Sequence, residues 1–321
     1  MYKKAYGIIE TLAPLHVGAT AGEESGNLNL IFRDQFTQTG IIPGSSIRGR
    51  MRSEMREIRI AWLEENWSNQ QSPSSEKGNP ELMYSIERNN HSNPQKFPSY
   101  VDWLEKEVNC ASSCPDNFNE QHWYGHEAVT GETNSTTESL VKFEYASILW
   151  LPVFCPGQPI VWVTCPRWLK RYKRLAGDAV KADWSDVNVY SGSQKLDCNK
   201  LFFNFGFLTI DQPKQNLTVW FPDQIERPAV VVGDDEIAMI HDMALYRQTR
   251  IAMEQDEKRV ADGKFFNVEA LPEETILVFP IAHRPDEKGQ TWNPFTGKAD
   301  IYLGGLESIG FGHCELTLKG I

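Results

Sequence analysis

Short runs rich in β-branched and aromatic residues alternate along this chain with segments of helical spacing. Residues 2–17 read as a strand leading to a loop, and residues 18–40 are rich in Gly, Asn, Thr and Gln around the apolar run "LNLIF". The stretch "GIIPGSSIRGRMRSEMREIRIAW" (40–62) then predicts a helix. Ile47, Met51, Met55, Ile58 and Trp62 make one apolar stripe, Arg48, Arg52, Arg56 and Arg59 run along another face, and Ser45 or Ser46 is the expected N-cap. "VKFEYASILWLPVF" and "PIVWVT" predict strands, the second followed by a basic helix opened by Pro166. Further strands are expected in "FFNFGFLTI", "LTVWF" and "ETILVFPIA". "GDDEIAMIHDMALYRQTRIAME" (233–254) reads as a helix with an acidic start, and Asp262-Gly263 as a hairpin-like turn. The chain closes on two strands around the glycine loop of "DIYLGGLESIGFGHCELTL". With no fixed-period repeat, the pattern defines an α+β fold.

One region breaks the pattern. From about 66 to 140, "NWSNQQSPSSEKGNPE", "NNHSNPQKFPS" and "GETNSTTES" are polar, rich in breakers and poor in periodicity. This predicts a long insertion with little core of its own and a short helix at 99–108.

Composition narrows the picture. The 321 residues, 40% hydrophobic and 11% aromatic, suffice for a sizeable core of one large or two ordinary domains. No window approaches the roughly 18 uninterrupted apolar residues of a membrane span, and "MYKKAYGIIETLAPLHVG" lacks the apolar core of a signal peptide. Six cysteines do not make a disulfide framework in a chain this long; the expectation is a cytoplasmic protein whose cysteines are reduced or metal-bound. A net charge of -11 argues against whole-surface binding to nucleic acid but leaves room for a local basic groove, because fields decay within about 10 Å.

Against that charge, the arginines behind "PGSS" stand out. Amide groups from Gly44 to Ile47, a helix N-terminus and Arg48, Arg50 and Arg52 would together seat phosphate. The alternative is a solvated basic face behind an ordinary cap, but arginine there opposes the helix dipole, a conflict an anion would relieve. The glycine loop, with Gly304, Gly305, Gly310 and Gly312 ahead of His313, resembles no dinucleotide fingerprint; it is either a flexible hairpin or a close approach to a backbone or ligand. His16 follows the first strand as a nucleic-acid contact, a proton-transfer group or a histidine bonded to backbone. Cys110, Cys114, His122 and His126 have C-x3-C-x7-H-x3-H spacing, which fits a structural zinc staple as well as free surface residues. No nucleophile elbow, Walker motif, paired carboxylates or H-E-x-x-H signature appears.

Taken in order, "LHVGA…SGN…RDQFTQTGIIPGSSIRGRMR", "EYASILWLPV…VWVTCPRWLKRY", "RIAMEQDEKRVADGKFFNVEALPEETIL" and "YLGGLESIGFGHCEL" resemble the RAMP superfamily of CRISPR-associated RNA-binding proteins. Within it they look most like the backbone subunit of type III effector complexes, in its Cmr (III-B) version. The resemblance covers nearly the whole chain outside 66–120. It implies a single domain over 1–321 with a ferredoxin-like (RRM-like) core, the insertion at about 66–140, and a β-hairpin thumb within 183–227 or, as the other candidate, 252–272. It also implies partners: CRISPR RNA, target RNA and other type III subunits, with no membrane. Contacts to the guide would come from His16, Arg33, the turn and helix at Gly44, Ser45, Ser46, Arg48, Arg50 and Arg52, and the loop Gly304, Gly305, Gly310, Gly312 and His313. They would reach phosphate and sugar and be largely independent of sequence.

One departure bears on activity. The family associates a loop Asp, between the "hxG" and "R-[DE]…TG" motifs, with Mg²⁺-dependent target cleavage. Anchoring on the glycine of "SGNLNL" puts Asn29 there, and anchoring on Arg33 puts Leu28 there. Asn keeps a carbonyl oxygen but lacks the charge that binds a hard cation. Asp34, the nearest acid, matches the "R-[DE]" position instead. The expectation is a subunit that holds RNA without cutting it. The alternatives are an active metal-dependent endonuclease and a metal-independent guide-processing ribonuclease using His16 or His313 as acid/base.

Overall fold

The computed structural model describes residues 1–18, 28–70, 79–96, 98–108, 119–126, 136–204, 206–253 and 260–321. In chain order its strands are β1 (Lys3–Thr11), β2 (Leu28–Asn29), β3 (Ile41–Ile42), β4 (Val141–Phe143), β5 (Ala146–Phe154), β6 (Ile160–Thr164), β7 (Ser191–Gly192) and β8 (Lys200–Phe203). They continue as β9 (Gly206–Thr209), β10 (Ala229–Val231), β11 (Tyr246–Met253), β12 (Val260–Ala270), β13 (Ile276–His283), β14 (Lys298–Tyr302) and β15 (His313–Lys319). The helices are α1 (Gly44–Gln70), α2 (Pro80–Asn90), α3 (Tyr100–Glu107), α4 (Glu120–Tyr124), α5 (Pro166–Ala176) and α6 (Ile237–Ala244). This is the mixed α/β architecture the pattern predicts.

Two compact units divide the chain. The first comprises Met1–Arg48, Phe143–His283 and Phe295–Ile321. It carries most of a large sheet in the order β14-β15-β1-β13-β5-β6-β10-β7, with β3 pairing β5. β1 lies antiparallel to both β13 and β15. β6 and β10 run parallel, joined through α5, because parallel neighbours need a crossover. β5 is buried on eight consecutive residues, and its run is apolar except for Ser147. Trp150 stacks on Phe221 at 4.2 Å in a cluster with Leu169, Tyr172, Leu217 and Trp220.

The second unit comprises Gly49–Lys142 and Arg284–Pro294. The expected helix at 99–108 is α3, capped by Ser99. The insertion has more core than expected: Leu63, Trp67, Val101, Trp103, Leu104 and Val108 form an apolar cluster. Aromatic residues supply it where periodicity is too short to read, and Tyr100 stacks on Trp103.

Four local expectations change. "LTVWF" is a 3-10 turn (Thr218–Trp220) that inserts Trp220 into the core, and the Asn216 side chain accepts the Thr218 amide. The helix expected over 233–254 stops at Ala244, and "YRQTRIAM" becomes β11, paired antiparallel with β12 from Tyr246↔Ala270 onward. Cross-strand pairing overrides the helical spacing there. Asp262-Gly263 therefore lies inside β12, not at a turn. On α1 the buried stripe runs Ile47, Met51, Met55, Arg59, Leu63; Ile58 is 42% exposed and Arg59 only 6%.

Candidate nucleic-acid interface

β3 delivers Pro43 and Gly44 to the start of α1. Gly44 is required by packing: a Cβ there would lie 2.4 Å from the Phe143 carbonyl oxygen. The helix opens one residue before the serines, and the Pro43 carbonyl accepts the amides of Ser46 (3.0 Å) and Ile47 (3.3 Å). Neither Ser45 nor Ser46 is thus the N-cap; both sit in the first turn, Ser45 exposed. That turn holds no acidic residue. Its arginines are not equivalent. Arg48 is half-buried, Arg50 is ion-paired with Glu54 one turn on, and Arg59 is buried between Glu105 and Glu120, 2.9 Å from the latter. Arg52 lines an open cavity with Arg56, Asp102 and Glu120.

The glycine loop between β14 and β15 docks on the segment after β1 through backbone contacts. Gly305 donates to the His16 carbonyl (3.0 Å), Gly312 to the Pro14 carbonyl (2.9 Å) and Leu303 to the Gly312 carbonyl (2.9 Å). Gly304 (φ +79°) and Gly312 (φ +84°) have left-handed backbones, and Cβ atoms there would lie 2.2 Å and 2.4 Å from carbonyl oxygens. Of the two readings of this loop, close approach to a backbone is the observed one for these two glycines. Gly305 and Gly310 face open space. His313 stacks on Tyr302 (5.1 Å, 18°). His16 is 8% exposed, and its Nδ1–H donates to the Glu269 carbonyl at 2.6 Å. The histidine bonded to backbone is what the fold contains.

Arg33 does not project toward solvent as an unpaired RNA contact. Its guanidinium bonds Asp242 (3.0 Å) and Glu269 (2.9 Å), and Arg247 bridges the same two acids at 3.3 and 3.2 Å. Beside them, the Nε2 of buried His241 accepts the Gly40 amide at 2.9 Å. Burial, with Arg33 adding to it, pushes the His241 pKa down to about 3, so the ring is neutral. Burial raises the Asp242 pKa, but bonds from Arg33 and the charge of Arg247 outweigh it and hold the carboxyl low. Sequence spacing could not find this network, because its members come from three segments far apart in the chain, around Arg33, over 241–247 and at Glu269.

Asp34 has a structural task. Its Oδ1 accepts the amides of Phe36 (3.0 Å) and Thr37 (2.8 Å) and the Thr37 hydroxyl (2.9 Å). Burial acts to raise its pKa; these bonds outweigh that and lower it. The acid of the "R-[DE]" motif thus closes the turn that leads to β3. Leu28 and Asn29 form β2, which runs parallel to β12 at Asn267 and Val268. Among the described residues, no group of three or more His, Cys, Asp or Glu converges as a metal site. Neither Leu28 nor Asn29 offers the carboxylate that a hard divalent cation prefers. Of the expected zinc ligands, Cys110 and Cys114 lie outside the described residues. His122 Nε2 lies 3.3 Å from the Asp286 carboxylate, and the amide of His126 bonds the Thr137 hydroxyl.

The model of the RAMP superfamily matches residues 8–315. The chain belongs to that superfamily. Solved structures with its fold include a type III-B Cmr-beta bound to cognate target RNA (TM-score 0.58, 18% identity, 98% of this chain and 97% of that one). A crystal structure of Cmr4 gives 0.55 at 16% identity over 99% of both chains. Oligomeric Cmr4 from Pyrococcus furiosus gives 0.54 at 15% identity over 100% of both. A comparison with curated protein sequences returns no match. The expected likeness to the III-B subunit thus holds at the level of the fold. Among the described residues, no helix is long and apolar enough to cross a membrane.

Proposed function

We propose that this chain is an RNA-binding backbone subunit of a type III CRISPR effector ribonucleoprotein, holding guide and target RNA and leaving cleavage to other subunits. The observation that carries this reading is end-to-end agreement in fold with a III-B assembly bound to target RNA. The acid-free first turn of α1, with exposed Ser45 and half-buried Arg48, supports a phosphate seat. Gly305 and Gly310, with open space around them, support close approach of a strand at the glycine loop. Arg33, His16, Gly304 and Gly312 act in this reading by holding that surface in shape.

The antiparallel pair β11–β12 is the thumb of this reading, close to the 252–272 candidate. The 183–227 candidate instead supplies Leu217, Trp220 and Phe221 to the main core. β2 pairs with β12, so Asn29 lies at the base of that hairpin, where an acid would be needed for cutting. With an amide there the subunit holds RNA passively.

Two measurements test the reading. Arg48→Ala should weaken binding of labelled single-stranded RNA for all sequences alike and flatten its salt dependence by about 0.7. Wild-type protein with Mg²⁺ should leave target RNA opposite this subunit intact. A cut that Asp34→Ala abolishes, in protein whose turn remains folded, would overturn the non-cleaving assignment; Asn29→Asp tests whether a carboxylate alone restores cutting.

A further inference from the structure

The sequence "PRWLKRYKRLA" of α5 holds five cations and no carboxylate. Trp168, Leu169 and Tyr172 are buried on one side. Arg167, Lys170, Arg171 and Arg174 recur at i, i+3, i+4 and i+7, so they share the opposite face over about 10 Å. Among the described residues none of the four pairs with a carboxylate. Like charges at these spacings repel one another. At the helix N-terminus the Asp234 carboxylate accepts the Arg167 backbone amide (2.9 Å) rather than a cationic side chain.

This face forms one wall of a cleft of about 1110 Å³, measured with its open mouth. Thr37, Thr39, Ile41, Tyr145 and Ser147 line the cleft with it. Asp34 is the sole acid in the lining, and its Oδ1 already accepts three donors. Two buried polar atoms here lack partners: the Nε of Arg171 and the hydroxyl of Ser147, a residue only 8% exposed. Arg171 lies over the Tyr145 ring at 4.3 Å and donates to its carbonyl at 3.0 Å. Burial lowers the pKa of Arg171 and the charge of Arg174 adds to this, while Tyr145, Glu144 and Asp34 act against it. Lys170 sits over Trp184 at 4.8 Å.

We infer that the α5 cleft is a second seat for single-stranded RNA, with phosphates on Arg167, Lys170 and Arg174 and an unstacked base against Tyr145 or Trp184. Guanidinium forks match phosphate oxygens, and aromatic rings take bases of any identity. An anion would also neutralise the repelling stripe and bring acceptors to the unpaired donors. Thr39 and Ile41 line the cleft and lead directly through Pro43 into the first turn of α1. One strand can therefore pass from the α1 turn to α5. The inference rests on the RNA-binding reading above and adds a site that reading does not require.

The test uses the full chain, fluorescein-labelled single-stranded RNA of mixed sequence, and anisotropy across a salt series. Arg167→Ala/Lys170→Ala/Arg174→Ala should weaken binding roughly 10- to 100-fold and reduce the slope of log K against log salt by about 2, at about 0.7 per contact. Arg167→Lys/Arg174→Lys should keep most of the slope. In the wild type, 4-thiouridine RNA should cross-link under ultraviolet light to peptides containing Tyr145 or Trp184, a readout independent of how the variants fold. Wild-type binding by the triple variant, with Arg48→Ala still weakened, would overturn the α5 site and leave the RNA-binding function standing. Absence of RNA binding by the wild type would overturn both. Unchanged RNA binding with lost self-association in sedimentation would also overturn it, assigning the cleft to an acidic face of a second copy.

Discussion

Helices α1 and α5 are the two arginine-rich helices of this chain, and their charges have different fates. On α1, Arg50 is matched by Glu54 within the helix and Arg59 by Glu105 and Glu120. On α5, four cations share one face with no carboxylate partner among the described residues. Arginine density in the sequence points to α1; among the described residues, it is α5 whose cations of one face all lack an ion pair. A cluster of basic residues locates an anion site only after the carboxylates brought by tertiary structure have been counted.

If the contrast is right, deleting a partner of a matched cation should damage the fold, while deleting an α5 cation should not. The largest effect is expected from Glu120→Ala. It leaves Arg59, 6% exposed, with only the partly exposed Glu105, and should cost about 3–5 kcal/mol, read as a lower denaturant midpoint. Replacing the pair together, Arg59→Met with Glu120→Leu, should recover most of that loss. A cost for Glu120→Ala within error of a surface substitution would mean that Arg59 is not held as described.

The next effect concerns the network that occupies Arg33. His241 has a folded pKa of about 3 against about 6.5 unfolded. Between those values the unfolded chain binds a proton that the native chain does not. Stability should therefore fall as pH drops from about 6.5 toward 3, by on the order of 1 kcal/mol per pH unit. Midpoints measured at pH 7, 6 and 5 should show this slope, and His241→Gln should remove it. Asp242 acts over a lower range: its depressed pKa contributes stability above the unfolded value, lost as pH falls through the folded one.

The smallest effect belongs to α5. Arg174→Ala removes one member of the repelling Lys170–Arg174 i,i+4 pair at an exposed site and should raise stability by a few tenths of a kcal/mol at low salt. The gain should vanish at high salt. A loss of stability instead would mean that Arg174 already has an intramolecular partner.

The sequence names the "PGSS" turn, the start of α1, the glycine loop and the segment containing His16 as candidate contacts, and the fold joins two of them, with the Gly305 amide donating to the His16 carbonyl. Their division of labour was not legible. Gly304 and Gly312 are needed against the chain's own carbonyls, and only Gly305 and Gly310 leave room for a ligand. Asp34 reads as a candidate acid in the sequence, yet its carboxylate closes its own turn.

Local chemistry by itself determined the α+β class, the strand β1, the amphipathic start of α1, α3 behind its serine cap and the absence of a carboxylate at residues 28 and 29. Those features depend on neighbours within a few positions or on residue identity alone. Tertiary structure decided the rest. It made a strand of "YRQTRIAM" by pairing it with β12, buried Arg59 against acids 46 and 61 residues away, and tied up Arg33 with Glu269 236 residues distant. It also left the basic face of α5 without such a partner. Charge neutralisation and strand pairing act through space, so sequence proximity carries no record of them.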